Sequence, residues 1–343
     1  MNAHTRKYTQ LVTVYSLVHF LVDFACAFFM FHSIAGTPYG YTCVLLYNFC
    51  AFAMQMPLGA IADKLNRNAL VAAAGCILVG LAYALAAVPI AAVIVIGIGN
   101  AMFHIGGGID VLNISEKKLN ALGIFVSPGA FGIYFGTILG TGSGFPVAVM
   151  PIALIAAAGL VLLAYKSQKG TYPKNAEFSL AEAKSGHALI AVACLLLVVC
   201  LRSYVGLALN FSWKGIGHWG LALICAVGFG KTIGGIAADR LGTARTSIIS
   251  LGICAVLFLF PNIPTAGVAA VLLSNVTMPI TLWAMAKIFP NAKGFAFGLL
   301  TFGLFLGFLP IYLGYNLLSG VTLTVIAVIS LGMLLVGLRR AKL

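Results

Sequence analysis

Apolar runs follow one another along almost the whole chain and are separated by short polar turns. A helix of about twenty apolar residues crosses the hydrocarbon core of a bilayer, where every backbone polar group needs a partner within a helix or a closed barrel. These runs are too long for the ten-residue alternating strands of a membrane barrel. The pattern predicts an all-α membrane protein with twelve spans, at residues 9–32, 41–62, 68–86, 88–110, 121–141, 145–165, 186–207, 216–238, 246–262, 264–286, 293–313 and 317–338.

Composition narrows the possible classes of protein. With 62% hydrophobic residues, 8% charged residues and a mean hydropathy of +1.08, the chain lies far from soluble domains, in which about a quarter of residues are charged. The first run is too long for a signal peptide and is expected to remain as the first span. The loops are too short to contain a soluble enzyme domain, and the eight cysteines lie in apolar runs without Cys-x-x-Cys spacing. We therefore expect a non-enzyme without a cofactor, metal or disulfide.

The net charge of +13 is not clustered as it would be on a nucleic-acid-binding face. All Lys and Arg residues except Arg202, Lys214 and Lys231 fall at the termini or in the even-numbered loops between predicted spans. Cytoplasmic loops carry the excess of basic residues, so both termini are predicted to be cytoplasmic. We expect a monomer in the cell (inner) membrane, in contact with lipid and not with nucleic acid.

One polar loop, residues 166–185, divides the spans six and six. It predicts a cytoplasmic linker between an N-terminal half, residues 1–165, and a C-terminal half, residues 186–343. The loops after the second and eighth spans are similar in sequence, because Gly59-Ala-Ile-Ala-Asp63-Lys64-Leu-Asn66-Arg67 is matched by Gly235-Ile-Ala-Ala-Asp239-Arg240-Leu-Gly242-Thr-Ala-Arg245. Two six-helix halves with pseudo-two-fold symmetry are a transporter architecture.

The duplicated loop resembles the signature loop of the major facilitator superfamily (MFS). That family prefers a glycine three residues after the aspartate, which this chain has at Gly242 but replaces by Asn66 in the first copy. The resemblance implies the MFS fold and transport by alternating access. It also implies that the aspartate and the cations form a charge clamp, or cap a neighbouring helix end, at an inner gate. The gate residues implied are Gly59, Asp63, Lys64, Arg67, Gly235, Asp239, Arg240 and Arg245.

A narrower resemblance is to the fosmidomycin-resistance branch of that superfamily, whose members are proton-driven drug exporters. It rests on His19-Phe-Leu-Val-Asp23, on Phe103-His104, and on the fifth-span segment from Pro128 to Gly136. The chain departs from the branch after His104, where Ile105 and three glycines follow, and at Thr137. Gly132, Gly136 and Gly140 in the same span are four residues apart, which predicts close helix contact.

His19 and Asp23 are the first candidates for coupling to protons. They lie within roughly 5 Å of the centre of the first span and share one helix face at i,i+4 spacing. A carboxylate at that depth costs at least about 2.5 kcal/mol unless it faces water or a partner. The alternative is a structural hydrogen bond between helices.

His104 in the fourth span either completes a His–Asp–His set or donates to a backbone carbonyl at a helix end loosened by glycines. Asp110 lies at the inner end of the same span, where a solvated or helix-capping role is expected.

The polar residues left inside the other spans are candidates for binding the solute. Lys231 is too deep to reach lipid headgroups easily, so it is expected to bind an anionic substrate or to pair with a carboxylate. Arg202 either extends towards the outer surface or guards the outer mouth. The predicted neutral lining of the cavity consists of Asn48, Tyr134 and Asn275.

Together these features predict a proton-coupled secondary transporter of a small organic solute, anionic or amphiphilic, with export favoured over uptake. Uptake by a proton symporter is the alternative within the same class. A membrane sensor or enzyme that keeps the same fold without transporting is the alternative from another class.

Overall fold

The computed structural model describes residues 3–115, 118–142, 144–167, 174–181, 185–316 and 319–343, and these residues form helices and turns with no strand. Eleven helices in the described chain are long and apolar enough to cross a membrane. They are Tyr8–Ile34, Gly40–Leu65, Asn68–Leu85, Pro89–Ile114, Asn120–Thr141, Val149–Ser167, Gly186–Ala208, Trp219–Leu241, Pro264–Ile288, Lys293–Tyr312 and Gly320–Arg340. Each coincides with a predicted span, which confirms the all-α membrane fold.

The remaining predicted span, residues 246–262, corresponds to a shorter apolar helix, Thr243–Leu257. Its 15 residues extend over about 22 Å, less than the roughly 30 Å of a hydrocarbon core. The count of twelve spans, the symmetry of the halves and the side on which the termini lie stay predictions.

Several spans are interrupted at points that the sequence explains. A proline has no N–H to bond the carbonyl four residues earlier, so the fifth span divides before Pro128 and the ninth long helix divides at Val276, three residues before Pro279, although Ser127 and Val276 keep helical backbone angles. The α-helices are α1 Ala3–Phe29, α2 Gly40–Asn48, α3 Gln55–Leu65, α4 Asn68–Ala82, α5 Pro89–Ile114, α6 Asn120–Val126, α7 Pro128–Thr141, α8 Val149–Ser167, α9 Gly186–Ala208, α10 Trp219–Leu241, α11 Thr243–Leu257, α12 Pro264–Asn275, α13 Thr277–Ile288, α14 Lys293–Tyr312 and α15 Gly320–Arg340. Two π-helical turns, Met30–Ile34 and Phe49–Ala53, and one 3₁₀ turn, Tyr83–Leu85, complete the spans.

The chain forms two compact units that differ from the predicted halves in their short segments. Unit 1 comprises Met1–Ile114, Pro128–Phe178 and Asn291–Thr301, and unit 2 comprises Ser115–Ser127, Ser179–Pro290 and Phe302–Leu343. Of the predicted linker, residues 168–173 and 182–184 lie outside the described residues. The division at residues 165 and 186 therefore stays a prediction.

Within unit 1, α7 packs closely against α1 through the glycines that the sequence analysis singled out. A Cβ atom at Gly132, Gly136 or Gly140 would crowd α1 at three backbone oxygens one turn apart, those of Phe20, Phe24 and Phe28. This confirms the prediction of close helix contact, and it brings α7 against the face of α1 that carries His19 and Asp23.

Candidate functional site

Helices α1 and α5 bring His19, Asp23 and His104 together in unit 1. The His19 Nε2 atom lies 3.2 Å from Asp23 Oδ2 and 2.9 Å from His104 Nε2, while His104 Nε2 lies 3.6 Å from Asp23 Oδ1. The three side chains are 6%, 11% and 12% exposed. Three groups that can carry a proton are therefore in contact and largely shielded from solvent, and we call them the coupling cluster.

Hydrogen-bond geometry assigns the protons of this cluster. His104 Nδ1 lies 2.9 Å from the Asn100 carbonyl oxygen, which can only accept, so Nδ1 carries the hydrogen. In the neutral His104 ring Nε2 is then an acceptor, and the short contact to His19 requires that His19 Nε2–H donates. Protonation of His104 would place a second N–H opposite Asp23. The cluster thus has a partner in place for one additional proton.

Two neighbours complete the cluster, and the sequence analysis did not include either as a site residue. Asn100 Nδ2 donates to Asp23 Oδ1 over 3.2 Å and is buried. Its signal in the sequence is a single amide in the middle of an apolar run. Gly129, in the first turn of α7, faces the same atoms, and a Cβ there would overlap Asp23 Oδ2 and crowd His19 Nε2. A glycine is therefore needed for α7 to close over the cluster.

His19, Asp23 and His104 are also residue types that bind metal ions. One ligand atom from each of His19, Asp23 and His104 lies within 4.8 Å of the others, and two imidazoles with a carboxylate suit a divalent transition metal. Two nitrogen ligands at a tetrahedral zinc ion, each at about 2.0–2.1 Å, are about 3.3 Å apart. The observed separation of 2.9 Å between the imidazole nitrogens is that of a hydrogen bond. The arrangement therefore fits a shared proton better than a metal ion.

Unit 2 carries the two basic residues expected inside spans. Arg202 in α9 is partly buried, and its Nη1 atom donates to the Thr281 hydroxyl of α13 over 3.5 Å. Lys231 in α10 is also partly buried and donates to the Val126 carbonyl oxygen over 3.2 Å. Both oxygens are neutral. The Lys231 distance lies at the upper end of the normal range for an N–H···O hydrogen bond, and the Arg202 distance lies beyond it.

The neutral residues predicted to line a cavity are all partly buried. The amides of Asn48 and Asn275 donate to carbonyls of their own helices, those of Val44 and Val271. Tyr134 packs its ring edge-on against Phe135. Their lining role stays a prediction.

The first aspartate loop contains a helix cap. Asp63, 3% exposed, accepts hydrogen bonds from the backbone N–H groups of Gly294 and Phe295 over 2.8 and 2.9 Å. These amides belong to the first turn of α14, whose N–H groups have no partner within the helix and carry partial positive charge. Gly59 lies one turn earlier, where a Cβ would overlap the Gly294 backbone.

The second aspartate loop contains a matching cap within unit 2. Asp239 accepts from the backbone N–H groups of Leu119 and Asn120 over 2.6 and 3.0 Å, at the start of α6. Gly235 again permits the approach, since a Cβ there would lie 2.7 Å from the Leu119 carbonyl oxygen. The resemblance implied either a charge clamp or a helix cap at these loops, and the described structure contains the helix cap in both copies.

The expectation that Asp110 is solvated was wrong, and its helix-capping role stays a prediction. Asp110 is fully buried and accepts from the Tyr15 hydroxyl and from Asn68 Nδ2, each over 2.7 Å. The error arose because a residue near the end of an apolar run was assumed to face water, whereas α1 and the start of α4 cover it.

Comparisons with known proteins give one kind of match. No protein-family model and no curated protein matches the chain. Solved structures do match: the MFS transporter FucP in the outward conformation has 14% sequence identity and a TM-score of 0.68, with 99% of each chain covered. The human organic anion transporter MFSD10 (TETRAN) has 15% identity and a TM-score of 0.68, covering 95% of this chain and 99% of that one. A bacterial homologue of the iron transporter ferroportin, outward-facing with soaked iron, has 14% identity and a TM-score of 0.61, covering 100% and 99%.

At these identities the likeness concerns the fold, and the narrower resemblance to the fosmidomycin-resistance branch stays a prediction. The match nevertheless covers nearly the whole chain and agrees with the positions of the apolar helices. The chain is thus a multi-pass membrane protein with the fold of major facilitator superfamily transporters.

Proposed function

We propose that this protein is a proton-coupled secondary transporter that moves a small organic solute, anionic or amphiphilic, across the cell (inner) membrane by alternating access. Export is favoured over uptake, and the protein acts as a monomer. The observation that carries the proposal is the coupling cluster of His19, Asp23 and His104.

The cluster supports proton coupling because it holds more proton sites than protons. A single hydrogen occupies the 2.9 Å contact between the two imidazoles, and a second proton finds a base and a carboxylate already within reach. A charged side chain at this depth in the membrane is costly in free energy. A change in the protonation of the cluster therefore changes which conformation of α1 and α5 is favoured. Such a link between protonation and conformation is what a proton-driven carrier requires.

Arg202 supports an anionic solute. Asp239 is the one acidic side chain among the described residues of unit 2, and its oxygens accept from the amides of Leu119 and Asn120. A guanidinium inside a span needs a counter-charge, and the hydroxyl of Thr281 does not supply one. A bound organic anion would supply it, with Lys231 as the second cation.

The two aspartate caps support alternating access. A carboxylate that holds the first amides of a helix forms a compact contact, which can be made in one state and released in the other without repacking an apolar surface. We assign this gating role to Asp63 and Asp239, with the neighbouring glycines Gly59 and Gly235 permitting the close approach and Lys64, Arg67, Arg240 and Arg245 supplying positive charge.

Proton flux in proteoliposomes tests the proposal. Vesicles containing a trapped pH dye are given a pH gradient and then a panel of small organic anions, and the signal is solute-dependent proton movement. Asp23→Asn keeps the size of the side chain and removes its proton chemistry, so solute-dependent flux is expected to fall to that of empty vesicles. His32→Gln, on the exposed side of the same span, is the matched control and is expected to retain flux.

The direction of coupling is read from the same vesicles. Proton movement opposite to solute movement supports export by exchange, and movement in the same direction supports the uptake alternative. An Asp23→Asn variant that still concentrates solute against its gradient would contradict the coupling role. Stabilisation by a solute without any flux would favour a non-transporting sensor.

A further inference from the structure

Residues 174–178, the described part of the linker in unit 1, lie against the end of α3. We call these residues the linker segment. The backbone N–H of Asn175 donates to Asn66 Oδ1 over 2.9 Å. Asn66 follows α3 directly and has the left-handed backbone conformation that terminates the helix. The linker segment is therefore attached to the turn that follows Asp63.

The side chain of Asn175 makes hydrogen bonds with both ends of its amide. Its Oδ1 atom accepts from Asn68 Nδ2 over 2.8 Å and from Asn113 Nδ2 over 3.1 Å. Its Nδ2 atom donates to Asn68 Oδ1 over 3.1 Å and to the carbonyl oxygens of Ala62 and Asp63, both over 3.3 Å. These carbonyls belong to the last turn of α3, where the Ala62 oxygen also accepts from the Asn66 N–H over 3.0 Å and the Asp63 oxygen lies beyond the last helical N–H. Asn175 is thus a helix cap supplied from more than a hundred residues away in the chain.

A second contact holds the same turn. Lys64 Nζ lies 4.9 Å from the centre of the Phe178 ring, a cation–π distance. Asn175 binds the backbone of Asp63, and Phe178 binds the side chain of the next residue. The carboxylate of Asp63 projects from this turn to the amides of Gly294 and Phe295.

We propose that the linker segment is a latch for the Asp63 cap. Asn175 is a positioning residue that holds the last turn of α3 in the orientation in which Asp63 binds the start of α14. A change that loosens the linker segment therefore weakens the hydrogen bonds from Gly294 and Phe295 to Asp63, although the linker segment is not part of those bonds. That the latch regulates transport rests on the proposed function, whereas its effect on the cap does not.

Hydrogen exchange of the full chain in nanodiscs, with no solute present, tests the latch directly. Loss of a cap typically changes local stability by about 1 kcal/mol, so Asn175→Ala is expected to speed exchange of the Gly294 and Phe295 amides about five- to tenfold. Asn175→Asp keeps the acceptors for Asn68 Nδ2 and Asn113 Nδ2 and loses the donors to α3 and to Asn68 Oδ1. It is expected to have an effect of the same size.

Two controls separate positioning from general loosening. Glu177→Gln changes an exposed residue of the same segment and is expected to leave exchange unchanged. In the Asp63→Asn background, Asn175→Ala is expected to add little at residues 294 and 295, because coupled residues are not additive. The amides of Leu119 and Asn120, held by Asp239, are expected to exchange normally in every variant.

Faster exchange confined to residues 62–68 would overturn the proposal, since Asn175 would then stabilise only its own surroundings. Additive effects with Asp63→Asn would overturn it as well. If the Asn175 variants fail to fold, Phe178→Leu removes the second anchor and is expected to speed exchange at Gly294 about two- to threefold; no change there would also contradict the latch. None of these readouts needs transport, so failure of the latch and failure of the proposed function are distinguishable.

Discussion

The two aspartate loops make the same contact in different surroundings. Asp63 and Asp239 each accept from two consecutive backbone amides at the start of a helix, and each has a glycine four residues earlier where the capped backbone approaches. Asp63 is 3% exposed, whereas Asp239 is exposed. The two copies of the motif therefore make the same contact, but we expect removal of the carboxylate to cost more free energy at Asp63 than at Asp239.

The turns that follow also differ in their demands on the backbone. Asn66 lies at φ 51° and ψ 40°, the left-handed region that asparagine tolerates. Gly242 lies at φ 86° and ψ 155°, a region essentially restricted to glycine. In the first loop the asparagine adds a hydrogen bond, because Asn66 Oδ1 accepts from the backbone N–H of Asn175. In the second loop the backbone conformation of the turn requires Gly242.

Removal of each carboxylate is expected to give the largest difference between the two loops. Asp63→Ala removes the carboxylate from the amides of Gly294, which is buried, and Phe295, which is partly buried, a loss of about 2–3 kcal/mol that corresponds to roughly 30- to 150-fold faster exchange there. Asp239→Ala removes a carboxylate that is already exposed, so water is expected to replace more of the lost bonds to Leu119 and Asn120, and about threefold faster exchange is expected. Hydrogen exchange measures both; equal effects would show that burial does not distinguish the caps.

The turn residues give the next largest effect. Gly242→Ala forces a Cβ into a glycine-only conformation and is expected to lower the free energy of unfolding by about 1–3 kcal/mol. Asn66→Ala remains in the left-handed region and is expected to cost about 1 kcal/mol. Unfolding midpoints in nanodiscs compare the two. A larger loss for Asn66→Ala would mean that its bond to the linker outweighs backbone strain.

The cations that follow the aspartates are expected to differ least. Lys64→Gln removes the cation from the Phe178 ring and is expected to cost about 0.5–1 kcal/mol. Arg240→Gln changes an exposed residue at the equivalent position and is expected to leave the midpoint unchanged. A clear loss for Arg240→Gln would reveal a role for the second cation that its exposed position does not explain.

Much of the fold was predictable from sequence because lipid imposes a local rule. Each span must satisfy its own backbone, so a sufficiently long apolar run predicts a helix at nearly the right residues, as Lys293–Tyr312 does for the predicted 293–313. The exception, Thr243–Leu257, occurs where a predicted run is longer than the helix it forms. The aspartate loops were also predictable, since a motif that is repeated at equivalent positions can be recognised in the sequence without knowledge of the residues it contacts.

What the sequence by itself determined, then, is the membrane class, the helix positions, the i,i+4 pair of His19 and Asp23, and the duplicated loops. Only the tertiary structure decided which distant groups meet, because apolar helices can pack in many registers and the close approaches of glycines select among them. It brought His104 to His19 and Asn100 to Asp23, covered Asp110 with Tyr15, and placed Asn175 against the carbonyl of Asp63. Those four contacts join residues 77 to 112 positions apart, a distance over which local pattern carries no information.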